Sequence, residues 1–197
     1  MLPAMGRPPK AREPLRLAAL ELFVKQGVHA TGVRDIARHA GVSEAALYCH
    51  WANKEDMVHS LFTEHLAEVV ALLESAIATE ATLAAQVLAA CRASYRLYDE
   101  QPLVFRFVLL VQHELASQLP ANLRMPQDVV IDLIRRAAAR GEITLRGDAD
   151  HESVLLSAAL IGTFLEAAIY VGNGRLPGPL LQHADAVTRI ALRILRA

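Results

Sequence analysis

An all-α fold follows from three features of the sequence. Apolar residues recur at spacings of three and four, no run alternates in the manner of a strand, and Gly and Pro fall at helix-length intervals. About nine helices are predicted. Leu15, Ala18, Leu22 and Phe23 form the stripe of the first, which Gly27 ends. The second covers 33–40 and stops at Gly41. Ser43 is placed to cap a short third helix to about His50, its hydroxyl accepting from a backbone N–H that has no partner within the helix. Asn53 caps the fourth, whose first turn holds Glu55 and Asp56 against the positive helix end. Its apolar face runs from Val58, Leu61 and Phe62 through Leu73 toward Ala78. Helices at about 82–99, 102–117 and 127–140 follow, set off by Pro102, Pro120, Pro126 and Gly141. The last two are predicted at about 150–170, apolar nearly all round, and about 179–195. A helix that is apolar all round must be covered on more than one side, and in a chain this small a second subunit can supply the cover. Ala158 and Gly162, one turn apart, would let a partner helix approach closely.

Composition excludes several classes. With 53% hydrophobic residues among 197, the chain can bury a core and is not a disordered segment. Its two cysteines, Cys49 and Cys91, are too few for a disulfide framework and fit a reducing compartment. The first residues are basic but lack an apolar signal core, and the apolar run 153–165 is bounded by Glu152 and Glu166, short of the roughly 20 residues of a membrane span. A cytoplasmic protein with no membrane partner is expected. The formal net charge of −1 hides an asymmetry. Residues 1–54 hold eight basic and four acidic side chains, a net +4, whereas 55–197 hold twelve Arg and seventeen acidic residues, a net −5, with no lysine. A basic head on an acidic body suggests that the head meets a polyanion.

The segment from Val33 to Trp51 supplies the motif. Small Ala37 allows two helices to cross closely, Gly41 makes the turn, Val42 plugs beneath it, and Leu47 anchors the second helix. That is the steric logic of a helix-turn-helix. With Leu47 and Trp51 inward, the outward set is Ser43, Glu44, Ala45, Ala46, Tyr48, Cys49 and His50, which would face the major groove and its flanking phosphates.

At this point the chain resembles the TetR family of bacterial transcriptional regulators. The resemblance is carried by residues 18–23 (AALELF), Gly27, Ala30-Thr31, 33–37 (VRDIA), 40–43 (AGVS), Leu47-Tyr48 and 53–56 (NKED). It implies a basic arm at 1–10, a helix-turn-helix DNA-binding domain at 11–56, and a helical ligand-binding and dimerisation domain at 57–197. It further implies that Thr31, Tyr48 and Lys54 contact DNA phosphates, and that Arg34, with Ser43, Glu44, Ala45, Ala46, Cys49 and His50, stands where the family reads bases or positions itself on the DNA. The sequence departs from the family where relatives carry Lys or Arg near Glu44, Thr at Ala46 and His or Tyr at Cys49. Glu44 can accept from a cytosine amine and Ala46 can touch a thymine methyl. Arg7, Lys10 and Arg12 are candidate minor-groove or phosphate contacts.

For the body, the resemblance places Tyr95, Tyr98, Phe105, Phe107, Gln112 and His113 on helices that line the family's ligand cavity, with Arg106 and Glu166 as further polar candidates. Aromatic walls with a few polar groups suit an apolar or amphipathic small-molecule effector. The implied protein is a homodimer, joined through about 150–171 and 179–195, that binds double-stranded DNA at a palindromic operator as a repressor. No enzyme activity, cofactor or metal is expected. His113-Glu114 and His151-Glu152 start like a zinc-protease motif, but Ser117 and Leu155 stand where the second histidine would be. Two rival readings are a helical small-molecule carrier or enzyme without DNA binding, and a protein-interaction module.

Overall fold

The computed structural model describes residues 11–115, 119–120 and 122–195, apart from the side chains at 110, 113 and 114. The expected arm at 1–10, with Arg7 and Lys10, lies outside them. Among the described residues there are nine α-helices and no strand: α1 (Arg12–Gln26), α2 (Val33–His39), α3 (Glu44–Tyr48), α4 (Lys54–Ala78), α5 (Leu83–Glu100), α6 (Pro102–Leu115), α7 (Pro126–Ala139), α8 (Ala149–Gly172) and α9 (Ala184–Ile194).

The chain divides into two compact units. The first comprises residues to His65 together with Leu103–Leu119, and the second comprises Leu66–Pro102 and Pro120–Ala197. The first unit therefore runs past the expected boundary at residue 56 and takes in α6. Its apolar interior includes Leu15, Phe23, Ile36, Leu47, Met57, Leu61 and Phe62, all buried. Phe107 of α6 joins that interior, its ring stacked on Phe23 at 6.0 Å between centroids.

The second unit is a helical bundle whose core includes Val70, Leu73 and Ile77 of α4, Val87 of α5, Leu133 and Ile134 of α7, Leu160 of α8 and Ala191 of α9. Side-chain caps start its helices: Thr82 accepts from the Ala85 N–H on α5, and Asp148 accepts from the His151 N–H on α8. The predicted last helix does not begin at Pro179. A 3-10 turn, Leu180–His183, precedes α9. Its first N–H groups, at Leu180 and Leu181, donate to the two oxygens of Asp99 at 2.8 and 2.9 Å. Asp99 at the end of α5 thus fixes this turn before the regular helix starts.

α8 is longer than the sequence reading allowed. At 24 residues and a mean hydropathy of 2.0 in its most apolar window, it is long and apolar enough to cross a membrane by length and composition. Here it packs on α7 and α9 through Ser153, Ser157, Leu160, Ala167 and Ala168. The Ser157 hydroxyl donates to the Gln127 carbonyl. The opposite face of α8 carries Val154, Leu155, Ala158, Gly162 and Ile169, all exposed.

Candidate nucleic-acid interface

The first unit builds a helix-turn-helix from short-range bonds. Asp35 accepts from the Gly32 N–H and holds Arg38 at 2.6 Å, fixing both ends of α2. Gly41 turns the chain at φ +69, a left-handed conformation that a side chain would strain. The Val42 N–H then donates back to Ala37 at 3.0 Å, closing the turn. Ser43 caps α3 by accepting from the Ala46 N–H at 3.3 Å. Leu47 is fully buried and its carbonyl accepts from the N–H groups of His50 and Trp51. One side of α3 is thereby pinned and the other left open. Ser43, Glu44, Ala45, Cys49 and Tyr48, the last 54% exposed, occupy the open side, while Ala46 and His50 are half-buried. Of the seven residues read as outward from the sequence, five are thus exposed and two half-buried. Cys49 spends its thiol proton on the Ala45 carbonyl.

The start of α4 is tied down by a reciprocal cap. The Asp56 N–H donates to Asn53 Oδ1 at 2.7 Å, and the Ala52 N–H donates to Asp56 Oδ2 at 2.9 Å. Lys54 Nζ donates to the Val28 carbonyl at 3.1 Å, which joins α4 to the loop after α1 and leaves two of the three ammonium protons for a phosphate.

Thr31 departs from expectation. Its side chain is 1% exposed. Its hydroxyl donates to the Gly27 carbonyl at 2.8 Å and accepts from Gln26 Nε2 at 3.2 Å, so it orders the α1–α2 loop instead of reaching out. Arg34, by contrast, is exposed and makes no hydrogen bond or ion pair among the described residues.

An ionic cluster beside this face was not read from the sequence. Arg12 Nη2 donates to Glu64 Oε1 at 3.0 Å, and the same guanidinium lies 5.7 Å from the centre of the Trp51 ring. Arg12, a candidate DNA contact in the sequence, is therefore engaged inside the unit. Arg16 Nη1 is 3.8 Å from Glu64 Oε2, and its Nη2 is 3.4 Å from Nε2 of the buried His65. Burial on its own would raise the Glu64 carboxyl, but the Arg12 hydrogen bond and the charges of Arg16, Arg12 and His65 outweigh it and hold the group below its ordinary value. The signal in the sequence was the pair of arginines one turn apart on α1, which separation by fifty residues from Glu64 concealed.

The residues expected to meet an effector fall in both units. Tyr95, Tyr98 and Glu166 belong to the second unit, while Phe105, Phe107, Gln112 and His113 belong to the first. Tyr95 is buried and donates to the Phe164 carbonyl at 3.1 Å, and Phe107 sits in the first unit's core. Both are committed to packing. Glu166 stands on the exposed face of α8 and Arg106 is exposed on α6, whereas Tyr98, Phe105 and Gln112 are half-buried. The side chain of His113 lies outside the described residues. Among the described residues no cluster of three or more His, Cys, Asp or Glu could hold a metal ion.

A capped, turn-linked pair of helices presenting the open side of α3 from a basic segment has the helix-turn-helix geometry that DNA-binding regulators use. Residues 15–61 match the family model described as bacterial regulatory proteins, tetR family. The HTH-type transcriptional activator FasR of Mycolicibacterium smegmatis is 26% identical over 170 residues, covering 84% of this chain and 74% of that one. The HTH-type transcriptional repressor BepR of Brucella suis is 25% identical, with 95% and 93% covered. Among solved structures, the transcriptional regulator FadR of Bacillus subtilis in complex with stearoyl-CoA superimposes with a TM-score of 0.67 at 21% identity, covering 91% of this chain and 96% of that one. The likeness to the family model is thus carried by the N-terminal quarter of the chain.

Proposed function

We propose that the protein works as a homodimeric repressor, released from a palindromic operator by an amphipathic acyl-type effector. The observation that carries the reading is the geometry of α3: its inner side is locked by Leu47 and the Ser43 cap, and its outer side is free for the major groove. Arg34, Tyr48 and Lys54 supply phosphate contacts. Ser43, Glu44, Ala45, Ala46, Cys49 and His50 meet base edges or the adjacent backbone. The side chain of Thr31 is left out of the contact set by its burial.

Dimerisation through α8 and α9 is supported by their unpartnered apolar faces, with Leu155 56% and Ile190 52% exposed. A two-fold axis through these helices presents two copies of α3 to a symmetric site. The class of effector rests on the stearoyl-CoA bound to the Bacillus subtilis relative, with Tyr98, Phe105, Gln112 and His113 as candidate contacts. Repression is supported by BepR, whose alignment spans nearly the whole chain. The protein acts in the cytoplasm, where its DNA is, and without catalysis.

Selection of binding sites from a random duplex pool tests the reading. The expected product is an inverted repeat with half-sites about 10 base pairs apart or a multiple of that. Long-chain acyl-CoA is then titrated against the complex and should release the DNA. Enrichment of no sequence sinks the operator reading, and a complex indifferent to acyl-CoA sinks the effector class.

A further inference from the structure

The cluster of Arg12, Arg16, Glu64 and Trp51 lies wholly within the first unit, and no contact to DNA explains it. Glu64 Oε2 and Arg16 Nε are both buried without a hydrogen-bond partner, although the two side chains approach to 3.8 Å. Unsatisfied buried groups are uncommon and costly, so a cluster that served only stability would join these two atoms. Instead, Glu64 gives its other oxygen to Arg12. The Arg12 guanidinium in turn lies over Trp51. The Trp51 backbone N–H donates to the Leu47 carbonyl of α3, and the Trp51 ring lies edge-on to His50, 5.6 Å between ring centres. A contiguous path thus runs from α4 through the first turn of α1 to the end of the recognition helix.

We propose that Glu64 is a positioning residue for DNA binding: through Arg12 and the Trp51 ring it sets the pose of α3. The Arg12–Glu64 pair is too open to contribute much to folding, with side chains 42% and 38% exposed. It can therefore be broken without unfolding the unit. Glu64 also belongs to α4, which continues beyond His65 into the second unit. A change in the course of α4 would move the carboxylate and loosen its hold on Arg12. The inference rests on α3 being the DNA-reading element.

The sign of one substitution decides it. Removing a negative charge near a polyanion should strengthen binding or leave it unchanged, all the more because Arg12 would be freed for a phosphate. A positioning role demands the opposite. Wild-type protein is first titrated by fluorescence anisotropy against the duplex selected from the pool; failure there removes the DNA reading itself, and with it this proposal. Glu64→Gln is then compared on the same duplex. The expected result is an affinity lower by about three- to tenfold. Because Trp51 is the sole tryptophan, its emission reports on the cluster directly. It should shift to the red in the free variant as the guanidinium leaves the ring, while far-ultraviolet circular dichroism stays that of the wild type. Should Glu64→Gln fail to fold, Glu64→Asp and Arg12→Lys are read in the same two ways, the shorter acid and the unforked cation each weakening the clamp. Equal or tighter DNA binding by the folded variants overturns the proposal, whatever the emission does.

Discussion

Arg34→Ala gives the most direct measure of how the first unit meets DNA. Arg34 stands in the first turn of α2, exposed, with no hydrogen bond or ion pair among the described residues. Its charge is therefore fully available to a phosphate. Each phosphate neutralised by a cationic side chain adds about 0.9 to the slope of log affinity against log salt. A dimer places two heads on the duplex, so the substitution should flatten that slope by about 1.8. Between 50 and 200 mM salt, a difference of this size amounts to about a twelvefold smaller loss of affinity than the wild type suffers. Arg38 is the internal control. It is also exposed, but the Asp35 carboxylate lies 2.6 Å from its guanidinium. A cation already neutralised displaces fewer counterions, so Arg38→Ala should change the slope by clearly less. Neither change removes a buried contact, and thermal unfolding should stay within about 0.5 kcal/mol of the wild type. Anisotropy titrations at four salt concentrations provide the slopes. A slope unaltered by Arg34→Ala, or an equal change in both variants, would refute the argument that free charge on this face predicts phosphate contact.

Leu47→Ala should destabilise the first unit by about 2–5 kcal/mol, because a fully buried leucine is replaced by a cavity beneath α3, and urea unfolding would reveal it. Acid should weaken the Arg12–Glu64 link. The folded Glu64 carboxyl lies below its ordinary value of 4.5, so its contribution is complete above about that pH and fades as pH falls through the lower folded value. The pair contributes little to folding, so Trp51 emission is the readout: it should redden as pH falls through that value in the wild type and stay flat in Glu64→Gln, and a wild-type emission indifferent to pH counts against the assignment. The two thiols should differ. Burial pushes Cys91 up to about 11, with small opposing help from Thr188 and Tyr95, whereas Cys49 is exposed. Alkylation at pH 8 followed by mass spectrometry should modify Cys49 alone in native protein and both thiols in denaturant.

Local chemistry made the helix-turn-helix legible in the sequence. Ser43 signals a cap wherever it precedes a helix, Gly41 signals the turn, and Leu47 must face inward; each operates over a few residues and each is found in place. The third and fourth helices were bounded closely for the same reason. What escaped was everything decided by partners far along the chain. The Thr31 hydroxyl belongs to Gly27 and Gln26 because the loop folds back on α1, and a list of phosphate-contacting positions carries no hint of that closure. Phe107 belongs with Phe23, eighty-odd residues earlier, because α6 returns to the first unit. The interruption before α9 depends on the two oxygens of Asp99, which no periodicity can announce.

The same distinction separates residues that meet DNA from those that place them. Contact residues are exposed, so their side chains are chosen by the ligand and can be proposed from type and position, as with Arg34 and Tyr48. Placing residues are chosen by the protein's own packing. Arg12 shows how easily the two are confused: in sequence it completes a basic run that invites assignment to DNA, while in the structure its guanidinium is divided between a carboxylate and an indole. The charge asymmetry of +4 in the first 54 residues therefore overstates the charge offered to DNA. Arg12 and Arg16 share Glu64, Arg38 is held by Asp35, and Lys54 is bonded to a carbonyl, which leaves Arg34 and Lys25 as the cations of α1–α4 with no partner among the described residues. Affinity on this head must then come from a few free charges together with the pose of α3. That dependence is why a carboxylate on α4 can govern binding without approaching the duplex.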